Sequence, residues 1–153
     1  MDRLLTWLRR RLRWLGYRSY YRLVAANYAH RWLSTENRTS AGRFDSYELL
    51  NRHGSDPMLA DCDAYCGPEA VIYDIGANVG VYALALAADS PGRRLVAVEP
   101  TPRTCTHLRA NVDCNDLGDR IEIIEAGVGD AEGIRQFFVS TYAELSGFDR
   151  ESA

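Results

Sequence analysis

Lysine is absent from this sequence of 153 residues: all 18 basic residues are arginines. That usage reflects coding bias and is given no functional weight. Long apolar runs are also missing. No stretch approaches the roughly 18 residues that a membrane-spanning helix needs. The arginine-rich start has neither an uninterrupted apolar core nor a small-residue cleavage site, so it does not read as a secretory signal. Internal repeats and low-complexity tracts are absent, which excludes a solenoid. Cysteines are few, at positions 62, 66, 105 and 114. Their spacings do not match the short paired spacings of zinc ligands, so no metal site is expected. Four small buried thiols in a reducing cytoplasm are the expected state.

What is present is ordinary for a globular chain, 46% hydrophobic and 25% charged. The length is enough for one modest domain. The charge is unevenly placed. Residues 1–33 hold eight arginines against one acid, Asp2, a net +7; the rest holds ten arginines against twenty acids, a net −10. Such asymmetry marks a surface-seeking arm on an acidic body. Residues 3–15 read as an amphipathic helix. Leu4, Leu5, Trp7, Leu8, Leu12, Trp14 and Leu15 share one half of the wheel, Arg9, Arg10 and Arg13 the other, and Arg11 falls inside the apolar half. Gly16 is expected to end it, with a second helix from Ser19 to Leu33. Packing against the body and peripheral contact with an anionic membrane through residues 1–33 both remain open for this segment.

Residues 34–43 have loop composition, and 46–52 suggest a short helix stopped at Gly54. Ser55 or Asp56 then caps a helix that has Pro57 at its first position and ends before Gly67. From Ala70 the pattern changes. A β-prone run at Val71–Tyr73 leads into Asp74-Ile75-Gly76, then a helix Val79–Ala88. Strand Leu95–Val98 ends at Glu99-Pro100. A helix from Pro102 to Cys114 follows, then a strand Ile121–Glu125 and a turn at Gly127–Asp130. Strands separated by helical crossovers of about 20 residues imply a parallel, Rossmann-like α/β sheet. Residues 134–139 suggest one more strand. The expected division is a helical segment over 1–67 and a ligand-binding α/β unit over 68–153.

The segment Asp74-Ile-Gly-Ala-Asn-Val-Gly80 lies between a strand and a helix. Its glycines let the backbone turn and approach a ligand, and the helix start offers unpaired N–H groups. Glu99 lies 23 residues after Gly76, near the offset at which an acid meets ribose hydroxyls. Both elements fall at the carboxyl ends of strands, where parallel sheets bind ligands. A nucleoside carrying a second group at the loop is therefore expected. An NAD-type dinucleotide normally requires G-x-G-x-x-G, and this loop, G-A-N-V-G, lacks the middle glycine. S-adenosylmethionine (SAM) would set its ammonium near Asp74.

The blocks VIYDIGANVGVYAL, LVAVEPTPRTCTHLRANVDCN and IEIIEAGVGD resemble the first three strands of FkbM-type methyltransferases over about residues 68–140. The resemblance implies an incomplete class I SAM methyltransferase fold and O-methylation of a hydroxyl on a sugar or other small molecule. It assigns Asp74, Gly76, Asn78 and Gly80 to the methionine part of SAM, Glu99 to the ribose, Pro100 to the rim, and Val128 and Asp130 to the adenine border. Asn111 and Asn115 fit structural helix positions. The implied acceptor is a small molecule or glycan, with no nucleic acid. The family domain continues with a fourth strand beside the first, so this chain is expected to be a cofactor-binding fragment, inactive alone, with a separate C-terminal half as a partner. An NAD-binding half-domain and a non-catalytic membrane-surface remnant are the competing readings. No catalytic base is assigned; His30, His53 and His107 are candidates by residue type only.

Overall fold

The computed structural model describes residues 2–50, 56–139 and 147, with backbone alone for 2–10, 12 and 13. The first helix, α1 (Asp2–His30), runs without a break through Gly16. The expected stop at Gly16 is not made. Gly16 is exposed, nothing lies within 4 Å of where a Cβ would stand, and a solvent-side glycine costs a helix only about 1 kcal/mol. The expected loop over 34–43 is instead a hairpin, β1 (Thr35–Arg38) antiparallel to β2 (Arg43–Ser46). The helix expected from residue 46 does not form over 46–50; Ser46 closes β2, and residues 51–55 lie outside the described set.

Helix α2 (Pro57–Tyr65) begins as its sequence dictates. Asp56 accepts the Met58 N–H at 3.0 Å and Pro57 fills the first turn. Strands β3 (Val71–Ile75), β4 (Arg94–Val98) and β5 (Ile121–Ile124) form a parallel sheet in the order β3-β4-β5. Helices α3 (Val81–Ala88) and α4 (Pro102–Cys114) make the two crossovers. Crossovers of one hand, moving in one direction across a sheet, put both helices on the same face. Ile72, Leu95, Ala97, Ile121 and Ile123 meet them there, with Ala83, Leu84, Leu86, Leu108 and Val112. The other face and outer edge of β3 carry Val71, Tyr73 and Ile75, each more than half exposed. Of the expected strand over 134–139, the described residues show one bridge, Phe138 with Gly147.

Asn111 of α4 and Asn115, which caps that helix, fasten the N-terminal part to this layer. Asn115 accepts the Asp45 N–H and donates to the Asp45 carbonyl, both at 2.7 Å. Asn111, fully buried, accepts the Tyr47 N–H at 3.1 Å and donates to the Tyr28 hydroxyl at 3.0 Å. Tyr28 also stacks on His107 with centroids 3.9 Å apart. Arg93 performs a similar task on the far side. Its guanidinium pairs with Asp63 at 2.6 Å and donates to the carbonyls of Asp63, Cys66, Gly67 and Leu86. It thereby satisfies carbonyls at the ends of both α2 and α3, which lack partners within the helices.

Candidate active site

The β3–α3 loop turns by means of three left-handed residues: Gly76 (φ 81°), Asn78 (φ 50°) and Gly80 (φ 90°). The Gly76 and Ala77 N–H groups donate to the Val98 carbonyl at 2.8 and 3.0 Å, binding the loop to the end of β4. Space in front of Gly76 is open, whereas a Cβ on Gly80 would intrude on Leu108 Cδ1. The two glycines thus serve different ends: one leaves room at the surface, the other lets α3 approach α4. Gly80 also caps α3, so that helix starts at Val81 and not at Val79.

Glu99 joins the loop to the strand end. Its Oε2 accepts the Asn78 N–H at 3.1 Å and its Oε1 accepts the Thr101 N–H at 2.9 Å. Glu99 is only 7% exposed, yet each carboxylate oxygen keeps a further acceptor site. Thr101 was not legible as part of this clasp; its backbone, and not its side chain, makes the contact. Pro100 lies between them, half-buried.

Asp74 lies on the helix side of β3 and accepts the Ala83 N–H at 3.2 Å. It therefore supports the first turn of α3 in addition to facing the loop. Burial pushes its carboxyl above the usual range; the Ala83 hydrogen bond opposes that shift and the nearby Glu99 charge adds to it. Asn78 Oδ1 is buried with no hydrogen-bond partner among the described residues. A buried acceptor left unpaired is costly, so this atom points to an absent donor.

Loop, Asp74 and Glu99 are thus brought together. Val128 and Asp130 stand apart in this respect. Both are exposed in the irregular stretch after β5, and Asp130 pairs with Arg135 of the same stretch at 2.8 Å. Among the histidines, His30 stacks on Trp32 at the surface, and His53 lies outside the described residues. His107 is held neutral, its pKa lowered to about 4 by burial and by Arg103. Among the described residues no cluster of three or more His, Cys, Asp or Glu could hold a metal, and no helix is long and apolar enough to cross a membrane.

The site suits SAM. Two carboxylates and an orphaned amide oxygen surround an open glycine bend, a donor-poor set that favours a cation. The doubly charged pyrophosphate of a dinucleotide would meet like charge there. A parallel sheet with this acid-led loop and strand-end glutamate defines a Rossmann-type SAM-dependent methyltransferase domain. The chain belongs to the TRM5/TYW2 methyltransferase family, whose domain matches residues 62–139.

Among curated relatives it is 32% identical over 87 residues to the 31-O-demethyl-FK506 methyltransferase FkbM of Streptomyces tacrolimicus, covering 56% of this chain and 33% of that protein. It is 36% identical over 83 residues to the ribosomal RNA small subunit methyltransferase G of a Nocardioides species, covering 54% and 32%. The matches therefore span about a third of the length of each relative. Solved structures of similar fold include M. jannaschii TYW2 in complex with AdoMet, at TM-score 0.49 and 21% identity, covering 65% of this chain and 46% of that one. The complex of aTrm5 and tRNALeu matches at TM-score 0.48 and 18% identity, covering 65% and 29%. These findings correct two expectations. The family is TRM5/TYW2, with FkbM among the relatives. The exclusion of nucleic acid as a partner does not stand, since the family match is to TRM5/TYW2.

Proposed function

We propose that this chain is the methyl-donor-binding part of a methyltransferase that acts on RNA. The Glu99 clasp carries the donor site: one buried carboxylate ties the glycine loop to the β4 terminus and keeps acceptor capacity toward the cleft between them. In this reading Glu99 takes the two ribose hydroxyls. Asp74 and Asn78 Oδ1 take the ammonium of the methionine moiety, with Gly76 leaving room for it and Gly80 setting the bend. Pro100 shapes the rim. Val128 offers an apolar face to the adenine; the Asp130 carboxylate beside it is held by Arg135. When bound, SAM supplies a methyl group activated by its sulfonium. The chain's contribution is orientation, which can be worth about 7–11 kcal/mol of barrier.

An RNA acceptor is supported by membership of the TRM5/TYW2 family and by the likeness to a ribosomal RNA methyltransferase. O-methylation of a sugar or small-molecule hydroxyl is the second reading, supported by the FkbM relative. That relatives with such different acceptors each match this chain over 83 to 87 residues fits a donor-binding unit that leaves the acceptor to other segments. The bare face of β3 supports the same view, and no turnover is expected from these residues alone.

Isothermal titration of the chain tests the donor site. Saturable binding of SAM and none of NAD is expected. Glu99→Gln should weaken SAM binding about tenfold or more, since charge-assisted bonds contribute about 1.5–3 kcal/mol each. Preference for NAD, or indifference to Glu99→Gln, would remove this assignment.

A further inference from the structure

The exposed part of α1 carries charge opposite in sign to the body it is attached to. Anchoring of the helix begins at Tyr20, whose hydroxyl donates to Glu48 at 2.7 Å, and continues through Val24, Asn27 and Tyr28, which are buried. Upstream, every residue from Trp14 to Ser19 is exposed. That is more than one and a half turns, so no side of the helix is covered there. On a helix turning about 100° per residue, Arg11, Arg18 and Arg22 fall within about 40° of one another. All three are exposed. Trp14 sits beside this line, 55% exposed, with the Arg18 guanidinium 5.3 Å from its ring centroid. Tyr17 follows, stacked on Tyr21.

We propose that this stretch of α1 is an RNA-binding arm: Arg11, Arg18 and Arg22 take backbone phosphates, and the Trp14 and Tyr17 rings take unpaired bases. The inference rests on the RNA reading given above and assigns that partner a surface. Two observations carry it. First, the charge is segregated, with +7 over residues 1–33 against −10 over the remainder. A polyanion is repelled by the body and drawn to the arm. Second, the arginine line runs on the same side of the helix as Trp14 and Leu15. A helix lying in a lipid interface separates its cations from its inserted rings. Here, inserting Trp14 and Leu15 would bury three guanidiniums, whereas arginine interleaved with aromatic rings matches phosphates interleaved with bases.

The test uses the full chain, a fluorescein-labelled unmodified tRNA transcript and a labelled uridine 20-mer, read by anisotropy across a salt series. The variant replaces Arg11, Arg18 and Arg22 together with glutamine. Wild-type chain should bind both RNAs. The variant should bind at least tenfold more weakly, and its slope of log K against log salt should be shallower by about 2 to 3, one counterion-release increment per lost phosphate contact. Trp14→Ala should weaken uridine 20-mer binding about tenfold with little change of slope. SAM titration of each variant reports whether the donor site persists. RNA binding by the triple variant equal to that of wild type would overturn the arm while leaving an RNA acceptor in place. Failure of the wild-type chain to bind either RNA would overturn the arm, as would binding only to phosphatidylserine–phosphatidylcholine vesicles, which would mark a lipid arm; the RNA acceptor, held by other segments, is judged by methyl transfer to RNA. In each case SAM titration judges the donor site separately.

Discussion

Gly80 allows the cofactor loop and the helix pair behind it to be tested in one residue. Its φ of 90° lies where an L side chain is strained, and a Cβ there would meet Leu108 Cδ1. Leu108 itself is fully buried between α3 and the sheet. Gly80→Ala should therefore combine two penalties: about 1–2 kcal/mol for the left-handed backbone and about 1–3 kcal/mol for overpacking. The sum, about 2–5 kcal/mol, is a large part of the 5–15 kcal/mol that typically holds a domain together. Gly76→Ala, with φ 81° and open space in front, should incur only the backbone part, yet lose SAM affinity because the new methyl stands where the ligand approaches. Leu108→Ala alone should cost about 2–5 kcal/mol through its cavity. In the double variant Gly80→Ala/Leu108→Ala, the space left by leucine accepts the new methyl. The two changes should then combine to less than their sum, by about 1–3 kcal/mol. Urea unfolding of the four proteins measures the cycle. Strict additivity, or equal cost at positions 76 and 80, would refute the claim that close approach of α3 and α4 is what demands glycine at 80.

Three further expectations follow from buried groups. Arg93→Lys should destabilise the fold by about 3–5 kcal/mol, because it leaves Asp63 poorly paired and several helix-end carbonyls without the five-donor fork; thermal melting of the pair checks this. His107 has a pKa lowered to about 4, so the unfolded chain takes up its proton first as pH falls. Stability should drop from pH 6.5 down through 4, by less than the roughly 3 kcal/mol of a fully buried ring because solvent reaches part of this one; His107→Phe, which keeps a ring against Tyr28, should remove that part of the acid sensitivity in pH-dependent urea curves. Asp74 has a raised pKa, so its ionisation opposes folding, and the penalty grows as pH rises from the ordinary carboxylate range through the raised value. Asp74→Asn, whose amide oxygen still accepts the Ala83 N–H, should melt no lower than wild type at pH 7 but bind SAM about 10- to 100-fold more weakly; a variant that melts lower and binds equally well would reverse the assigned role.

Local chemistry was enough to fix much of this molecule in advance. The cap ahead of Pro57, read as Ser55 or Asp56, the proline-led start and the end of α4, and the alternation of apolar runs with helices are all short-range properties. Hydrogen bonding within a turn and side-chain periodicity determine them without reference to the rest of the chain. The loop and Glu99 were legible for the same reason, since their spacing follows from one crossover in a parallel sheet. Tertiary structure decided the remainder. The polar hairpin at 35–46 has little strand character of its own; it pairs because Phe44 packs into the α3–α4 layer, Asn115 binds the Asp45 backbone, and Asn111 holds the Tyr47 N–H just beyond it. Residues 134–139 have strand composition, and among the described residues they make one bridge, Phe138 with Gly147; a strand exists only with a partner. The joining of Glu99 to Asn78, of Arg93 to Asp63 of α2, and of Asn111 to Tyr28 each spans 21 or more residues. Such contacts are made by the packing of distant segments, and no property of either segment alone specifies them.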